Sequence, residues 1–339
     1  MRAFTILELI ASIIILGILG SLGADFLSGS YYNYSATKEF NKLNYELDRV
    51  LNEVSSKLQN RVKNSTIVVE CNATQTDSTK SDSCLRNSDK NFTSISSVQK
   101  GDSNKYPVIE WLNISFYSKR GMWSDNSIQP GWSGFVDLKD TQDLGNDKYK
   151  ITTNDSNFSF INLIDGNWSY WWGVDGYDNM LENNLSVLVF SGSDGRGDLD
   201  EINNSYGYYD TNKTRIFAIT SFSTYKNNKS SDTNLTIKAL TESNKTTVYE
   251  GYYIVRGACA IVPVYDKKYN DYNLELRFNY FPWKGQNYMD GNSSLLATNV
   301  SYFRYKEEAG VIRVYICLTS HKIKANDDNL TVCREKVVF

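Results

Sequence analysis

The chain has 339 residues, with 36 basic and 39 acidic side chains and a formal net charge of −3. Because the two signs are interspersed, this balance excludes the strongly basic surface that nucleic-acid binding requires, and no nucleic-acid partner is expected. Four prolines and an aromatic fraction of 14% exclude a largely disordered chain and favour a packed, β-rich protein.

The chain begins with an apolar run that contains one carboxylate. Residues 9–24 have no charged side chain, and Glu8 directly precedes them. Counted from Phe4, the run has roughly 20 residues, the length at which a helix rising ~1.5 Å per residue spans hydrocarbon. An ionised carboxylate at that depth costs about 2.5–3.5 kcal/mol. We therefore expect residues 4–24 to cross a membrane once and Glu8 to have a cationic partner there.

The segment Ala3-Phe4-Thr-Ile-Leu-Glu8 resembles the processing site of type IV prepilins and pseudopilins. In that family a membrane peptidase removes a short basic leader after a small residue, and the new N-terminal residue is methylated. The resemblance implies that residues 1–3 are the leader, that prepilin peptidase cuts after Ala3 and that Phe4 is methylated. It also implies that Glu8 directs assembly, paired with the N-terminal ammonium of a neighbouring Phe4. The alternatives are a plain membrane anchor and an ordinary signal peptide, which should have no acid in its apolar core.

A helical stripe continues the apolar run. Apolar residues recur at spacings of three and four from Phe40 to Val62, and charged residues occupy the other face. The pattern predicts one helix from Phe4 to about Arg61, whose amphipathic second half is 25–63. A weakly patterned stretch at 27–34 leaves a bend in this helix open.

The rest of the chain, 64–339, reads as strands and loops. Segments with β-branched and aromatic bias are separated by Gly, Asn and Asp clusters. They predict strands at 108–116, 149–153, 158–163, 186–191, 214–222, 235–240, 247–255, 274–280, 299–305, 311–318 and 330–339. The expected fold class is α+β: a long, pilin-like N-terminal helix packed on a large antiparallel β-sheet head. Whether residues 66–182 form an inserted subdomain stays open.

The C-terminal segments 293–305 and 310–318 are similar to the end of J-type minor pseudopilins of type II secretion and of W-type minor pilins. This resemblance implies a structural subunit near the tip of a secretion or pilus filament, with the major and the other minor subunits as partners. It implies a single-pass protein of the bacterial inner membrane. The head would lie in the periplasm before assembly and then in a periplasmic or cell-surface filament. The alternative is an adhesin-like minor pilin that binds a glycan or a surface.

Five cysteines favour an oxidising compartment. We expect one disulfide between Cys71 and Cys84, closing a polar loop, and another between Cys317 and Cys333, pinning the last strand. The second pair also resembles the disulfide-bounded loop near the end of many pilins. Cys259 would then be a small buried apolar residue. The lack of a Cys-x-x-Cys motif and the single histidine argue against a zinc site.

Asparagines form an unexpected pattern. Seventeen fit Asn-x-Ser/Thr, and eleven of these have Asp or Glu two positions earlier, against three of the other eighteen asparagines. The pattern resembles the acceptor motif of bacterial single-subunit oligosaccharyltransferases. An acidic side chain at that position can be bound by a basic pocket of the enzyme. The alternative is chance in a surface rich in Asn, Asp and Ser. Glycosylation on exposed loops is expected at Asn72, Asn91, Asn157, Asn167, Asn184, Asn203, Asn212, Asn234, Asn244, Asn292 and Asn329.

An acidic loop with glycines is a candidate calcium site. Calcium takes six to eight oxygen ligands from a tightly turned loop. The loop does not match the EF-hand register, and Arg196 would oppose a cation, so a solvated turn is the alternative. Its acidic side chains are Asp194, Asp198, Asp200 and Glu201.

Motifs of enzymes are missing from the sequence: it has no nucleophile elbow, P-loop, dinucleotide fingerprint or metal-ligand cluster. We therefore expect no enzymatic activity. The aromatic segment 168–172 (Trp-Ser-Tyr-Trp-Trp) is the best candidate for glycan binding, with a core or subunit-interface role as the alternative.

Overall fold

A computed structural model of the chain describes residues 6–71, 84, 86, 91–98, 105, 107–124, 127–161, 184–191, 202, 205–209, 213–227, 230–241, 247–325 and 328–339. Helix α1 (Ile6–Gln59) has 54 residues and shows no break at 27–34. At ~1.5 Å per residue it is about 80 Å long. It ends two residues before the expected Arg61, whose Nη1 donates to the carbonyl of Leu58 over 2.7 Å and so satisfies a terminal acceptor.

The two halves of α1 have opposite environments. Every residue from 6 to 34 is exposed, whereas the second half buries an apolar stripe. The stripe recurs every three or four residues, so these side chains share the helix face that meets the sheet. It comprises Leu43, Leu47, Val50, Leu51, Val54, Ser55 and Leu58.

Fifteen strands follow in the described part of the chain. They are β1 (Ile67–Val69), β2 (Phe92–Ser94), β3 (Val108–Ile114), β4 (Met122–Ser124), β5 (Ser127–Gln129), β6 (Asp137–Gly145), β7 (Lys148–Thr153), β8 (Val187–Phe190), β9 (Ile216–Asn227), β10 (Ser230–Ala239), β11 (Tyr252–Asp266), β12 (Asp271–Tyr280), β13 (Asn292–Glu308), β14 (Val311–Ala325) and β15 (Asp328–Val338). A short helix, α2 (Phe116–Arg120), lies between β3 and β4.

Thirteen of these strands form one antiparallel sheet in the order β15-β14-β13-β12-β11-β8-β9-β10-β7-β6, with β3, β1 and β2 branching from β11. Strand β11 pairs with β8 through Tyr252–Val255 and with β3 at Val255 and through 258–261. The register of its pairing with β3 shifts between Val255 and Ala258, where Gly257 has φ +70° and a Cβ atom would lie 3.1 Å from the carbonyl oxygen of Tyr280. Strand β11 thus divides the sheet into a half that carries α1 and a second half from β8 to β6.

The division of the sheet at β11 does not coincide with the boundaries of the segment 66–182. Strands β1 and β3 belong to the half that carries α1, and β8 to β10, which lie after residue 182, continue the second half. Alternation along β3 shows how the first half packs on both faces. Ile109 and Trp111 join the core beneath α1, and Val108 and Leu112 join the core on the opposite face.

Most predicted strands are present, including 311–318, in which the alternating Ile312, Val314, Ile316 and Leu318 are all buried. One prediction is wrong. The segment expected as a strand at 158–163 forms a helical turn as far as it is described, with the amide of Ile161 donating to the carbonyl of Phe158 over 3.0 Å.

A buried ion pair ties the region after the first disulfide to the core. Arg86 Nε lies 3.1 Å from a carboxylate oxygen of Glu110, and both side chains are buried. The Tyr280 hydroxyl donates to the same carboxylate over 2.9 Å. Burial alone would lower the pKa of Arg86, but the Glu110 carboxylate opposes this and the net pKa is raised. Burial, followed by the Glu110 charge, raises the pKa of Tyr280, so its hydroxyl keeps its proton.

Arg86 also holds two backbone carbonyls. Its Nη1 donates to Tyr208 over 2.6 Å, and its Nη2 donates to Gln286 over 2.9 Å. One cation thereby joins β3, the segment before β9 and the turn after β12. No sequence motif marks this residue.

We predict that Arg86→Met destabilises the full chain in detergent micelles by about 3–5 kcal/mol, because Glu110 is left as an uncompensated buried charge. The measurement is urea unfolding. The control is Lys105→Met, which breaks the Lys105–Glu70 pair of 3.1 Å, where the lysine is 53% exposed. That change should cost less than about 1 kcal/mol. The double variant Arg86→Met/Glu110→Gln should recover part of the loss. Equal destabilisation by the two single variants would contradict this account.

Candidate functional site

The exposed half of α1 is a long, continuous apolar surface. An 18-residue window of this helix has mean hydropathy 2.3, and none of it is buried. Individual side chains are exposed to a degree unusual for their type, for example Ile6 at 79% and Phe26 at 74%. Burial of apolar surface gains about 25 cal/mol per Å². Burial of this surface is therefore favourable, and by length and composition α1 is able to cross a membrane.

Glu8 lies in the first turns of this apolar half. It is the only charged side chain from residue 6 to residue 24. The hydroxyl of Ser12 donates to the carbonyl of Glu8 over 2.8 Å, so this serine is satisfied within its own helix. A carboxylate near a helix N-terminus is stabilised by the aligned peptide dipoles. Ala3 and Phe4, the predicted processing residues, lie outside the described residues.

The buried half of α1 is fixed to the head by polar contacts as well as by its apolar stripe. Arg334 of β15 contacts Asp48, and its Nη2 donates to Asn44 Oδ1 over 2.9 Å. On the other side of the helix, Arg49 Nη2 donates to the carbonyl of Leu296 in β13 over 2.6 Å. Contacts on two strands resist rotation of the helix about its axis. The head therefore determines which way the exposed half of α1 points.

A polar groove lies where α1 leaves the sheet. It has a volume of about 400 Å³ and is bordered by helix residues 39–46, by Asp266 at the end of β11 and by residues within β12, β13 and β14. His321 stacks on Tyr269 with ring centroids 4.8 Å apart, and its Nε2 lies 2.6 Å from Asp271 Oδ2. The side-chain oxygen of Asn273, which also lines the groove, has no hydrogen-bond partner among the described residues. The groove is polar and carries both charge signs, and these features point to no particular ligand.

The expected cysteine pairs are those in the structure. Cys71 is joined to Cys84, and Cys317 is joined to Cys333 across the register of β14 and β15. Cys259 is free and buried beneath α1. Burial raises the pKa of its thiol to about 12.

The predicted acceptor asparagines occupy different settings. Asn292 and Asn329 are exposed, whereas Asn91, Asn157 and Asn184 are partly buried. Asn234 lies within β10, between β9 and β7, and so is not on a loop as expected. Five further predicted acceptors lie outside the described residues: Asn72, Asn167, Asn203, Asn212 and Asn244.

The candidate calcium ligands also lie outside the described residues, as does the aromatic segment 168–172. These ligands are Asp194, Asp198, Asp200 and Glu201. Within the part of the chain that is described, no group of three His, Cys, Asp or Glu side chains is arranged to hold a metal ion.

Comparison of the chain with models of protein families, with curated proteins and with solved structures finds no match. The architecture established by the geometry is an α+β protein: a long N-terminal helix with an exposed apolar half, followed by a large antiparallel sheet.

We predict that the native full chain in detergent at pH 8 does not react with iodoacetamide, because the Cys259 thiol is buried and its raised pKa keeps it protonated. After unfolding in urea without a reductant, one cysteine per chain should be alkylated, and peptide mapping should identify it as Cys259. Rapid labelling of the native chain, or labelling of any other cysteine after unfolding, would contradict the assigned pairing and burial.

Proposed function

We propose that the chain is a minor subunit of a type IV pilin-like filament, and that α1 is its membrane anchor before assembly and its packing helix afterwards. The observation that carries the proposal is the division of α1. Residues 6–34 are exposed and largely apolar, while the second half of the same helix is fixed on a large folded head. A helix used only as a core element would have been covered along its length.

The two environments that suit this surface are chemically similar. Lipid tails and the apolar faces of other α1 helices both remove it from water, so a subunit moves from one to the other at little cost in apolar transfer. The carboxylate of Glu8 is the exception, since a charge in hydrocarbon costs about 2.5–3.5 kcal/mol. Pairing with the ammonium of a neighbouring Phe4, created by cleavage after Ala3, would offset this cost. The pairing gives assembly a direction and a fixed stagger.

The head has features of an exported protein. Two disulfides are stable in an oxidising compartment, which fits a head in the periplasm or on the cell surface. Residues 293–305 and 310–318, whose sequences resemble the C-terminal strands of J-type pseudopilins and W-type minor pilins, lie in the hairpin of the paired strands β13 and β14, and this supports the proposal. We infer a place near the filament tip, with prepilin peptidase and other pilin-like subunits as partners.

An adhesin-like role is the second candidate, and it has its own observation. Trp123 of β4 pairs across the hairpin with Ile128 of β5, and these side chains are 71% and 60% exposed. Exposed aromatic side chains suit a surface that stacks on sugars. Deletion of the gene separates the two roles. Loss of extracellular enzymes supports secretion, whereas loss of attachment with normal secretion supports adhesion.

We predict that Glu8→Ala is inserted in the membrane and processed after Ala3 but is at least about tenfold depleted from sheared filaments, because the neighbouring ammonium loses its partner. Mass spectrometry of the N-terminal peptide reports processing, and quantitative immunoblotting reports incorporation. Ser12→Ala is the matched control, since this hydroxyl is satisfied within the helix, and it should assemble normally.

Normal incorporation of the Glu8→Ala chain would refute the pairing mechanism. A chain that is never cleaved, with normal membrane insertion, would refute the processing site and with it the pilin-like proposal. Co-purification of the wild-type chain with other minor subunits from detergent extracts tests the partners directly.

A further inference from the structure

Asparagines in Asn-x-Ser/Thr motifs are preceded by acids far more often than composition predicts. Acids make up 39 of 339 residues, yet they stand two positions before eleven of seventeen motif asparagines and before three of the eighteen others. The excess is confined to asparagines that a transferase can modify. It therefore points to an enzyme that reads both the hydroxyl residue after the asparagine and a negative charge before it.

Asn292 has every element of such a site on the surface. It is the exposed first residue of β13 and directly follows the turn Tyr288–Asp290 and Gly291. Asp290, two positions earlier, is also exposed, and its Oδ2 accepts a hydrogen bond from the amide of Asn287 over 2.9 Å. The hydroxyl residue of the motif, Ser294, is exposed as well.

Asn234 has the same motif, but its place inside the sheet blocks the access of an enzyme to it. The strand pairs on both sides, and Asn234 Oδ1 accepts a hydrogen bond from the Thr152 hydroxyl over 2.9 Å. Its preceding acid, Asp232, is 6% exposed and accepts the amide of Asp155 over 3.0 Å. An enzyme would have to pull β10 out of the sheet to reach either group.

Two other asparagines provide the opposite comparison. Asn64 and Asn154 are exposed and fit Asn-x-Ser/Thr, but Val62 and Thr152 stand two positions before them. The chain therefore contains exposed acceptors without the acid, a partly buried acceptor with the acid inside the sheet, and an exposed acceptor with the acid.

We propose that Asn292 is a glycosylation acceptor on the folded chain, for an oligosaccharyltransferase that recognises an acidic side chain two residues before the asparagine. The donor is an oligosaccharide linked to a polyprenyl diphosphate. The amide nitrogen of Asn292 forms a bond to C1 of the first sugar, while the bond from C1 to the diphosphate oxygen breaks. The amide loses one proton, and the polyprenyl diphosphate leaves with the bonding electrons. This assignment is independent of the filament role.

The test uses the purified, folded full chain in detergent with a bacterial single-subunit oligosaccharyltransferase and its lipid-linked oligosaccharide. Site occupancy is measured by glycopeptide mass spectrometry. Asn292 should be modified, and Asn64, Asn154 and Asn234 should each be at least about tenfold less occupied. A synthetic peptide of residues 230–239 should accept glycan at Asn234, because the fold of the chain, and not the sequence around Asn234, prevents its modification.

Variants at Asp290 test the recognition. Asp290→Asn keeps an oxygen that can accept from the amide of Asn287 but removes the charge, so occupancy of Asn292 should fall at least about tenfold with an unchanged melting temperature. Asp290→Glu should restore occupancy. The proposal is overturned if Asn292 stays unmodified while a control acceptor peptide reacts. It is also overturned if Asp290→Asn leaves occupancy unchanged, or if folded Asn234 matches Asn292.

Discussion

The structure depends on the continuity of α1. Backbone hydrogen bonds run through all 54 residues, so the buried stripe from Leu43 to Leu58 fixes the axis along which the exposed half extends. Arg49 and Arg334 hold this axis against strands on the two sides of the helix. A bend or rotation at the junction would require breaking helix hydrogen bonds, which is costly away from water. The buried half of α1 therefore fixes the direction in which the exposed apolar half extends from the head.

The apolar half is suited to close packing with other helices. Gly17, Gly20 and Gly23 lie at three-residue spacing, and a Cβ atom added at any of them would meet no atom within 4 Å. Nothing within the chain therefore requires glycine there. In water, each costs about 1 kcal/mol of helix stability relative to alanine. Glycines at this spacing allow another helix backbone to approach closely, as is seen between membrane helices at small residues.

Sequence patterns located the elements whose burial is periodic. The apolar stripe of α1 and the alternation of Ile312, Val314 and Ile316 follow directly from burial on one face, and both were predicted. Strand β6 was missed because its residues, Asp137–Gly145, are mostly polar and exposed. The 158–163 segment was mistaken because its apolar residues Phe158 and Ile161 join the core of the second half of the sheet from a helical turn. Tertiary contacts decide such cases, and a single sequence does not reveal them.

The candidate site was predicted only in part, for a related reason. Glu8 and the cysteine pairs could be found because a charge in an apolar run, or a cysteine, is conspicuous in sequence. The pair of Arg86 and Glu110 could not be found, since 24 positions separate them and no pattern distinguishes them from surface charges. Glu110 is neutralised within its own chain by Arg86, which gives it a structural role.

The polar character that concealed β6 from sequence prediction also distinguishes the edges of the sheet. Strands β6 and β15 are the two ends of the main strand order, where backbone groups can pair with another chain. Strand β6 carries charged side chains, and its register shifts twice along its pairing with β7. Strand β15 has Arg334 and Lys336 turned to α1 residues, which places bulky charge beside its edge. Irregular, charged edges oppose strand addition between heads. The exposed apolar half of α1 has the opposite character, since among the described residues it presents a continuous apolar surface whose burial is favourable.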